Sequence, residues 1–253
     1  DFVYEFSRNF RNEGMDRTHN PEFTVLEWYT AYKDYLWMME VTEQLFEKIA
    51  LTLHGKTELT VGDKTIDFKA PYRRVSIIDA IKENTGIDIT GMDEAGLREV
   101  CKTLKVDVAP TIGKGKLIDE IFGATSEHTY TQPTFIIDYP VEMSPLTKKH
   151  RTKEGLVERF ELMVNGKELA NAYSELNDPI EQRKRFEDQL ALMERGDDEA
   201  MFIDHDFLRA LEYGMPPMGG MGMGVDRLLM ALTGLGIRET ILFPLVKPST
   251  GDE

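Results

Sequence analysis

The sequence has one cysteine among its 253 residues, Cys101. A single thiol cannot close an internal disulfide, and this usage fits a reducing, cytoplasmic setting. Because Cys101 lies in a run with helical periodicity, we expect it to act as a small buried hydrophobic residue rather than as a nucleophile.

Long apolar runs and targeting segments are also missing. No apolar stretch approaches the roughly 20 residues that a membrane-spanning helix needs, and the first residues lack the pattern of a secretory signal. We therefore expect no membrane segment and a cytoplasmic location. The sequence opens in a strand-like pattern without an initiator methionine, which leads us to expect a fragment whose upstream part is absent.

Positive charge is scarce, with 30 Lys and Arg against 45 Asp and Glu, so that the net charge is −15. A body of that charge repels nucleic-acid phosphates unless it carries a local basic patch. Charge alone therefore argues against tight nucleic-acid binding. The length allows a full hydrophobic core, as one large domain or as one domain with an insertion.

The start of the chain combines strand-forming residues with many charges. The pattern predicts strands over residues 2–12 and 23–29, joined as an antiparallel pair. Arg11, Glu13 and Glu27 would lie on this pair, and buried charge must be paired or bound to a ligand. The pattern leaves two interpretations open: an edge hairpin with solvated charges, or one wall of a binding site.

The middle of the chain shows clear patterns of secondary structure but few candidate functional residues. Periodicity predicts a helix over residues 32–53, and a Gly-Asp turn predicts a hairpin over 57–69. Residues 71–131 predict a small helical insertion, in which the run Gly113–Lys116 lacks the spacing of a phosphate-binding P-loop. A buried strand is predicted over residues 134–139.

A second cluster of carboxylates follows. Asn165–Gly166 between two strand patterns predicts a two-residue hairpin. In the resulting register Glu161 faces Ala170 and shares one sheet face with Glu168, with Cβ atoms roughly 6–8 Å apart. Two carboxylates at that separation repel unless a cation lies between them, and their chemistry suits Mg²⁺. The alternative is an exposed acidic strand face.

Near the end, the glycine-rich segment Gly219–Gly224 runs directly into an apolar helical pattern with Arg227 close to its start. Glycines let a ligand or another backbone approach closely, and a helix N-terminus favours anions. By itself this segment predicts either a phosphate contact or close packing alone.

Four groups of residues are more specific in identity than a secondary-structure pattern requires. They are Phe10–Gly14, His19–Thr24, Glu27–Tyr29, and the spaced residues Gly222, Gly224 and Arg227. The first three together resemble motif 2 of the class II aminoacyl-tRNA synthetases, and within that class the bacterial lysyl-tRNA synthetases most. The last resembles motif 3. The resemblance covers nearly the whole chain and is more specific than a lone glycine motif.

The resemblance implies an α+β fold of the class II synthetase type, with an antiparallel β-sheet flanked by helices and a small helical insertion. It implies ATP-dependent activation of L-lysine to lysyl-adenylate, followed by transfer of lysine to the 3′ end of tRNA(Lys). Mg²⁺ would accompany ATP, and the full-length protein would be a homodimer. No side-chain nucleophile is needed, because positioning and electrostatics accelerate such a reaction.

The resemblance also implies roles for individual residues. Arg11 and Arg227 would be the catalytic residues, with Arg11 between the α-phosphate and the lysine carboxylate. The implied ATP-binding residues are Arg11, Glu13, His19, Asn20, Phe23, Glu161, Glu168 and Arg227. The implied lysine-binding residues are Arg11, Glu27, Tyr29, Asn171, Tyr173 and Glu175. The implied Mg²⁺ ligands are Glu161 and Glu168.

One conflict arises between the strand pattern and these roles. Strict alternation would point Glu168 and Asn171 to opposite faces of the sheet, whereas the resemblance places both in one site. We therefore predict a β-bulge, or another departure from regular strand geometry, between these two residues.

The family has parts that this chain does not match. Motif 1, an upstream acidic residue and the anticodon-binding OB domain would precede Asp1, so residues 1–253 would form a partial catalytic domain. The resemblance thus leaves open whether the chain is active or dimeric alone. A separate anticodon domain would also reconcile a tRNA partner with the acidic composition.

Three rival functions remain. A synthetase paralogue that lysylates elongation factor P would share the ATP and lysine sites. An aspartyl or asparaginyl enzyme would present a less acidic pocket than the pair Glu27 and Glu175. A nucleotide-binding regulatory paralogue would keep the sites without turnover.

Overall fold

A mostly antiparallel sheet flanked by helices forms the protein. The computed structural model describes residues 1–12, 14–196 and 202–245. The strands are β1 (Phe2–Phe10), β2 (Glu22–Ala31), β3 (Glu58–Val61), β4 (Lys64–Asp67), β5 (Arg73–Ser76), β6 (Thr134–Ile137), β7 (Arg159–Val164), β8 (Lys167–Ser174) and β9 (Met218–Gly224). The α-helices are α1 (Tyr35–His54), α2 (Ile77–Thr85), α3 (Glu94–Leu104), α4 (Lys114–Thr125), α5 (Pro179–Glu194), α6 (His205–Glu212), α7 (Val225–Thr233) and α8 (Ile237–Thr240).

Seven strands make one sheet in the order β1-β2-β9-β8-β7-β6-β5, and β3 with β4 forms a separate hairpin. Neighbouring strands of the large sheet are antiparallel except β5 and β6, which are parallel. The predicted α+β class is therefore confirmed. In the chain, α2, α3 and α4 lie between β5 and β6 of this sheet, within the stretch 71–131 that the sequence predicts as an insertion.

Helix α1 covers the rear face of the sheet. It begins at Tyr35 rather than at residue 32, because β2 continues to Ala31 and Asp34 caps the helix by accepting a hydrogen bond from the Trp37 N–H. Its side chains Met38 and Phe46 are fully buried in the core between helix and sheet. A rear face sealed in this way leaves the opposite face for a ligand.

A second core joins α2, α3 and α4 to the end of the sheet that β5 and β6 form. Ile77, Leu97 and Leu117 are fully buried there, and Cys101 is buried beside them. The predicted structural role of this cysteine is confirmed. Among the helices given above, none combines the length and the apolar content that crossing a bilayer would require.

The hairpin of β7 and β8 turns at Asn165 and Gly166, which both have positive φ, as predicted for Asn-Gly. The register shifts between Leu162 and Met163, so that Glu161 pairs with Asn171. The predicted pairing of Glu161 with Ala170 is therefore wrong. The predicted bulge is confirmed, because the extra residue on β8 lies between Glu168 and Asn171 and turns Asn171 towards Glu161.

We expect Gly166→Ala to destabilise this hairpin more than Gly62→Ala destabilises the turn between β3 and β4. Both glycines have positive φ, which costs a residue with a Cβ about 1–2 kcal/mol. An added Cβ at Gly166 would also lie 3.1 Å from the His128 Cα, whereas none of the described atoms lies within 4 Å at Gly62. Crowding should add about 1–3 kcal/mol to the loss at Gly166. Urea unfolding measures both; equal losses would contradict the crowding.

Candidate active site

A cleft of about 230 Å³ lies over the free face of β2, β9 and β8. Eight residues that the sequence implicates line this one cleft, although they come from both ends of the chain. They are Arg11, His19, Asn20, Phe23, Glu27, Glu168, Asn171 and Arg227. Glu13 lies outside the described residues. Tyr29, Glu161 and Tyr173 lie on β2, β7 and β8 of the same sheet, and Glu175 directly follows β8.

Strand register explains how these residues come together. Glu27 of β2 pairs with Gly222 of β9, which pairs with Asn171 of β8, which pairs with Glu161 of β7. The neighbouring row runs across the same four strands as Tyr29, Gly220, Tyr173 and Arg159. Side chains of paired residues point to the same face, so the two rows form the floor of the site.

The glycines of β9 make this floor deep. The methionines Met221 and Met223 of this strand point to the buried core, so that Gly220, Gly222 and Gly224 fall on the cleft side. An added Cβ at Gly220 would lie 2.7 Å from the Tyr29 ring and closer still to the Glu175 carboxylate. Only glycine therefore fits between these two side chains. The glycine run in the sequence indicated a phosphate contact or close packing, and this specific role of Gly220 was not predicted.

One end of the cleft carries basic and hydrogen-bonding groups. The Arg227 Nη1 donates to the Glu168 carbonyl oxygen at 2.8 Å, and its Nη2 lies 3.3 Å from the His19 Nε2. The His19 Nδ1 lies 2.8 Å from the Asp16 Oδ2, so that His19 donates to Asp16 and accepts from Arg227. These contacts hold Arg227 in the first turn of α7, where a helix N-terminus favours anions.

Arg11, which follows β1, and Phe23 of β2 form one wall of the cleft. The Arg11 guanidinium carbon lies 5.2 Å from the centre of the Phe23 ring, within the range of a cation–π contact. Asn20 is buried and donates from its amide nitrogen to the Glu22 carbonyl oxygen, while its Oδ1 has no partner among the described residues. This wall offers one aromatic face, one guanidinium and one buried acceptor.

Glu161 and Glu168 lie close enough to influence each other. Burial, together with the charge of Glu168, raises the pKa of Glu161 to about 7. The side chain of Glu161 is 15% exposed and that of Glu168 is 37% exposed. In the described residues no group of three or more His, Cys, Asp or Glu side chains could hold a metal. The pair fits a cation that takes its remaining ligands from phosphates and water.

The other end of the site is acidic and aromatic. Burial, and then the charge of Glu27, raises the pKa of Glu175 to about 8. Burial and the charges of Glu175 and Glu27 also raise the pKa of Tyr29 to about 12, and the same causes raise the pKa of Tyr173. This end of the site therefore opposes negative charge and fits a cation beside the two tyrosine rings.

Arg159 is a site residue that the sequence analysis missed. Its Nη2 donates to the Glu161 Oε1 at 2.5 Å, and its Nε donates to the Asn171 Oδ1 at 3.2 Å. The available signal was alternation, because Arg159 lies two residues before Glu161 on one strand and so shares its face.

The sheet carries an arginine-lined cleft between its first strands and the glycine-rich strand before α7. These features define the class of protein to which the chain belongs. The chain belongs to the family of class II tRNA synthetases (D, K and N), whose model matches residues 1–247.

Within that class the similarity is to lysine--tRNA ligases. The chain is 70% identical to the one from Porphyromonas gingivalis over 249 residues, which are 98% of this chain and 43% of the relative. It is 64% identical to the one from Azobacteroides pseudotrichonymphae over 99% of this chain and 50% of the relative. It is 64% identical to the one from Christiangramia forsetii over 98% of this chain and 44% of the relative. The chain thus spans half or less of the length of these relatives.

We expect Glu175→Gln to change how the stability of the protein depends on pH. The folded-state pKa of about 8 lies above the unfolded value of 4.5. The proton on Glu175 therefore stabilises the fold fully below about pH 4.5, and this stability declines as the pH rises and is gone above about pH 8. The variant should be more stable than the parent above that pH, by on the order of 2–5 kcal/mol.

Urea unfolding between about pH 5 and pH 9, without lysine or ATP, measures this difference. Glu187→Gln on the exposed side of α5 is the control for removal of one carboxylate. Parallel pH profiles for the parent and Glu175→Gln would show that Glu175 is not the group responsible.

Proposed function

We propose that the complete protein is a lysine--tRNA ligase, which activates L-lysine with ATP to lysyl-adenylate and transfers lysine to the 3′ end of tRNA(Lys). The observation that carries the proposal is the polarity of the site, with Arg11 and Arg227 at one end and Glu27 and Glu175 at the other. Lysine has a carboxylate to react with ATP and a distant ammonium that fits the acidic end.

The names of the similar proteins support this proposal, because they are lysine--tRNA ligases at 64–70% identity. Since this chain spans half or less of those relatives, we assign the activity to the complete protein. We further propose that the complete protein is a homodimer in the cytoplasm and that tRNA recognition uses parts beyond this chain. That division is consistent with the net charge of −15.

In the first step, an oxygen of the lysine carboxylate attacks the α-phosphorus of ATP. The bond between the α-phosphorus and the bridging oxygen breaks, and pyrophosphate leaves with the electron pair. Arg11, which lines the cleft, would contact both the carboxylate and the α-phosphate, since a guanidinium binds two anionic oxygens in one plane. Arg227 and His19 would contact the outer phosphates, with Phe23 stacked on the adenine.

In the second step, a hydroxyl of the terminal ribose of tRNA attacks the lysyl carbonyl carbon. The bond to the adenylate oxygen breaks, AMP leaves, and the hydroxyl proton passes to solvent or to the phosphate. No side chain needs to form a covalent intermediate, so the site contributes by alignment and by charge.

Mg²⁺ would be held by Glu161 and Glu168, and when bound it would neutralise charge on the ATP phosphates. Burial, and then repulsion from Glu168, raises the pKa of Glu161, and a cation between these carboxylates would relieve both. The Arg227 guanidinium, bonded to the Glu168 carbonyl, would hold the adjoining part of the triphosphate.

Lysine should bind with its ammonium towards Glu175 and Glu27. Glu175 has its pKa at about 8 in the empty site, so near neutral pH it carries a proton that the ammonium of lysine should displace. Aspartate and asparagine are the other substrates named by the family description. Neither has a side-chain cation that could pair with Glu175 and Glu27. The acidic end therefore selects lysine within the family.

We expect the full-length protein to catalyse pyrophosphate exchange that depends on lysine, and Glu175→Gln to weaken lysine binding while ATP binding persists. Removing a carboxylate from a buried ion pair should raise the KM for lysine by about 100-fold or more.

Arg11→Ala should instead lower kcat for pyrophosphate exchange by about 100-fold or more, because the contact of Arg11 with the reacting phosphate strengthens in the transition state.

The control for these variants is Glu187→Gln, which should exchange like the parent. Exchange that depended on aspartate or asparagine but not on lysine would contradict the proposal. Exchange without any aminoacylation of tRNA(Lys) would limit it to the first step and favour another acceptor.

A further inference from the structure

Arg159 of β7 is a buried cation that joins three parts of the site. Its side chain is 15% exposed. Besides Glu161 and Asn171, its Nη1 donates to the Met143 carbonyl oxygen at 3.0 Å and to the Ser144 Oγ at 2.8 Å. The flat side of the guanidinium lies 4.5 Å from the centre of the buried Tyr139 ring.

These contacts account for most of the hydrogen-bonding capacity of a guanidinium, which has five N–H donors in one plane. Burying a charge is costly unless it is paired and hydrogen-bonded. The planar fork also fixes the directions in which its partners lie. Glu161 and Asn171 are therefore held relative to each other by one rigid group.

The consequence for Asn171 is a defined amide orientation. Because the Arg159 Nε donates to the Asn171 Oδ1, the amide nitrogen must point the other way, and it lies 3.4 Å from the Glu161 Oε1. Without Arg159 the amide could turn over, since its two ends are similar in size. The amide N–H donor of Asn171 would then no longer have one fixed direction in the site.

We propose that Arg159 is a positioning residue that couples the lysine-binding half of the site, through Asn171, to the metal-binding half, through Glu161. The inference rests on the function proposed above, and it assigns to Arg159 the relative placement of the two halves rather than contact with either substrate.

The segment that holds the Arg159 Nη1 follows Glu142, whose backbone packs against Gly115 of α4. An added Cβ at Gly115 would lie 2.8 Å from the Glu142 carbonyl carbon and oxygen. This close approach explains why Gly115 allows no larger side chain.

The test uses the full-length protein with Arg159→Lys and Arg159→Met. Lysine keeps the charge but cannot hold Glu161 and Asn171 at once. We expect both variants to raise the KM for lysine and the Mg²⁺ concentration for half-maximal pyrophosphate exchange by about tenfold each. Calorimetric titration with lysine alone, without ATP or Mg²⁺, should show the same weakening and is independent of turnover.

Arg185→Met is the matched control. Arg185 is 5% exposed and donates to the Ser144 and Thr147 carbonyl oxygens, so it is as buried and contacts the same segment, yet it has no contact with Glu161 or Asn171 among the described residues. This variant should lower the thermal midpoint without changing the lysine or Mg²⁺ requirement.

A double-mutant cycle then separates coupling from general damage. Asn171→Ala combined with Arg159→Lys should weaken lysine binding less than the product of the single effects, because both act through one contact. Asn171→Ala combined with Arg185→Lys should be multiplicative.

Two results would overturn the proposal: an unchanged lysine affinity and Mg²⁺ requirement in folded Arg159→Lys, or the same shifts in Arg185→Met. If Arg159→Met fails to fold, the Arg159→Lys comparison decides. A parent protein that does not bind lysine would contradict the proposed function itself. The Mg²⁺ dependence of ATP binding in Arg159→Lys would then decide the role of Arg159, and an unchanged dependence would refute it.

Discussion

Negative charge on a partly desolvated sheet face is the constraint on which the rest of the site depends. Burial raises the pKa of both Glu161 and Glu175, and in each case a neighbouring carboxylate adds to the shift. The protein supplies Arg159 to Glu161, but the described residues show no such ion pair for Glu175. The acidic end of the site thus combines two carboxylates without an ion pair among the described residues, an arrangement that favours binding of a cation there.

The backbone accommodates this face through the alternation of methionine and glycine in β9. Met221 and Met223 fill the core beneath α1, while the glycines between them leave the cleft side without side chains. Flanking strands can therefore hold large polar groups on either side of β9 without collision. The alternation that buries Met221 and Met223 in the core thus also places the glycines on the cleft side. The shape of the site therefore depends on core packing.

Much of this arrangement could be predicted from local chemistry. The Asn-Gly turn and the paired opening strands were predictable because turn geometry and alternation are short-range. The bulge followed from a conflict between alternation and shared function, but its effect on pairing did not, so Glu161 was placed opposite Ala170 instead of Asn171. Arg159 was missed although alternation along β7 places it on the same face as Glu161. Gly220 was missed because its neighbours Tyr29 and Glu175 come from distant segments, and a pattern along one strand cannot show which residue lies across the sheet.

In the proposed function, selectivity within the family would follow from the pair of carboxylates Glu27 and Glu175. With Glu27 near Glu175, ionisation of the second carboxylate is unfavourable until a cation enters. In the proposed function, the ammonium of lysine would remove this penalty, whereas a neutral side chain would leave it in place and an acidic one would increase it. Discrimination would then come from this acidic pair as well as from the fit to the lysine side chain.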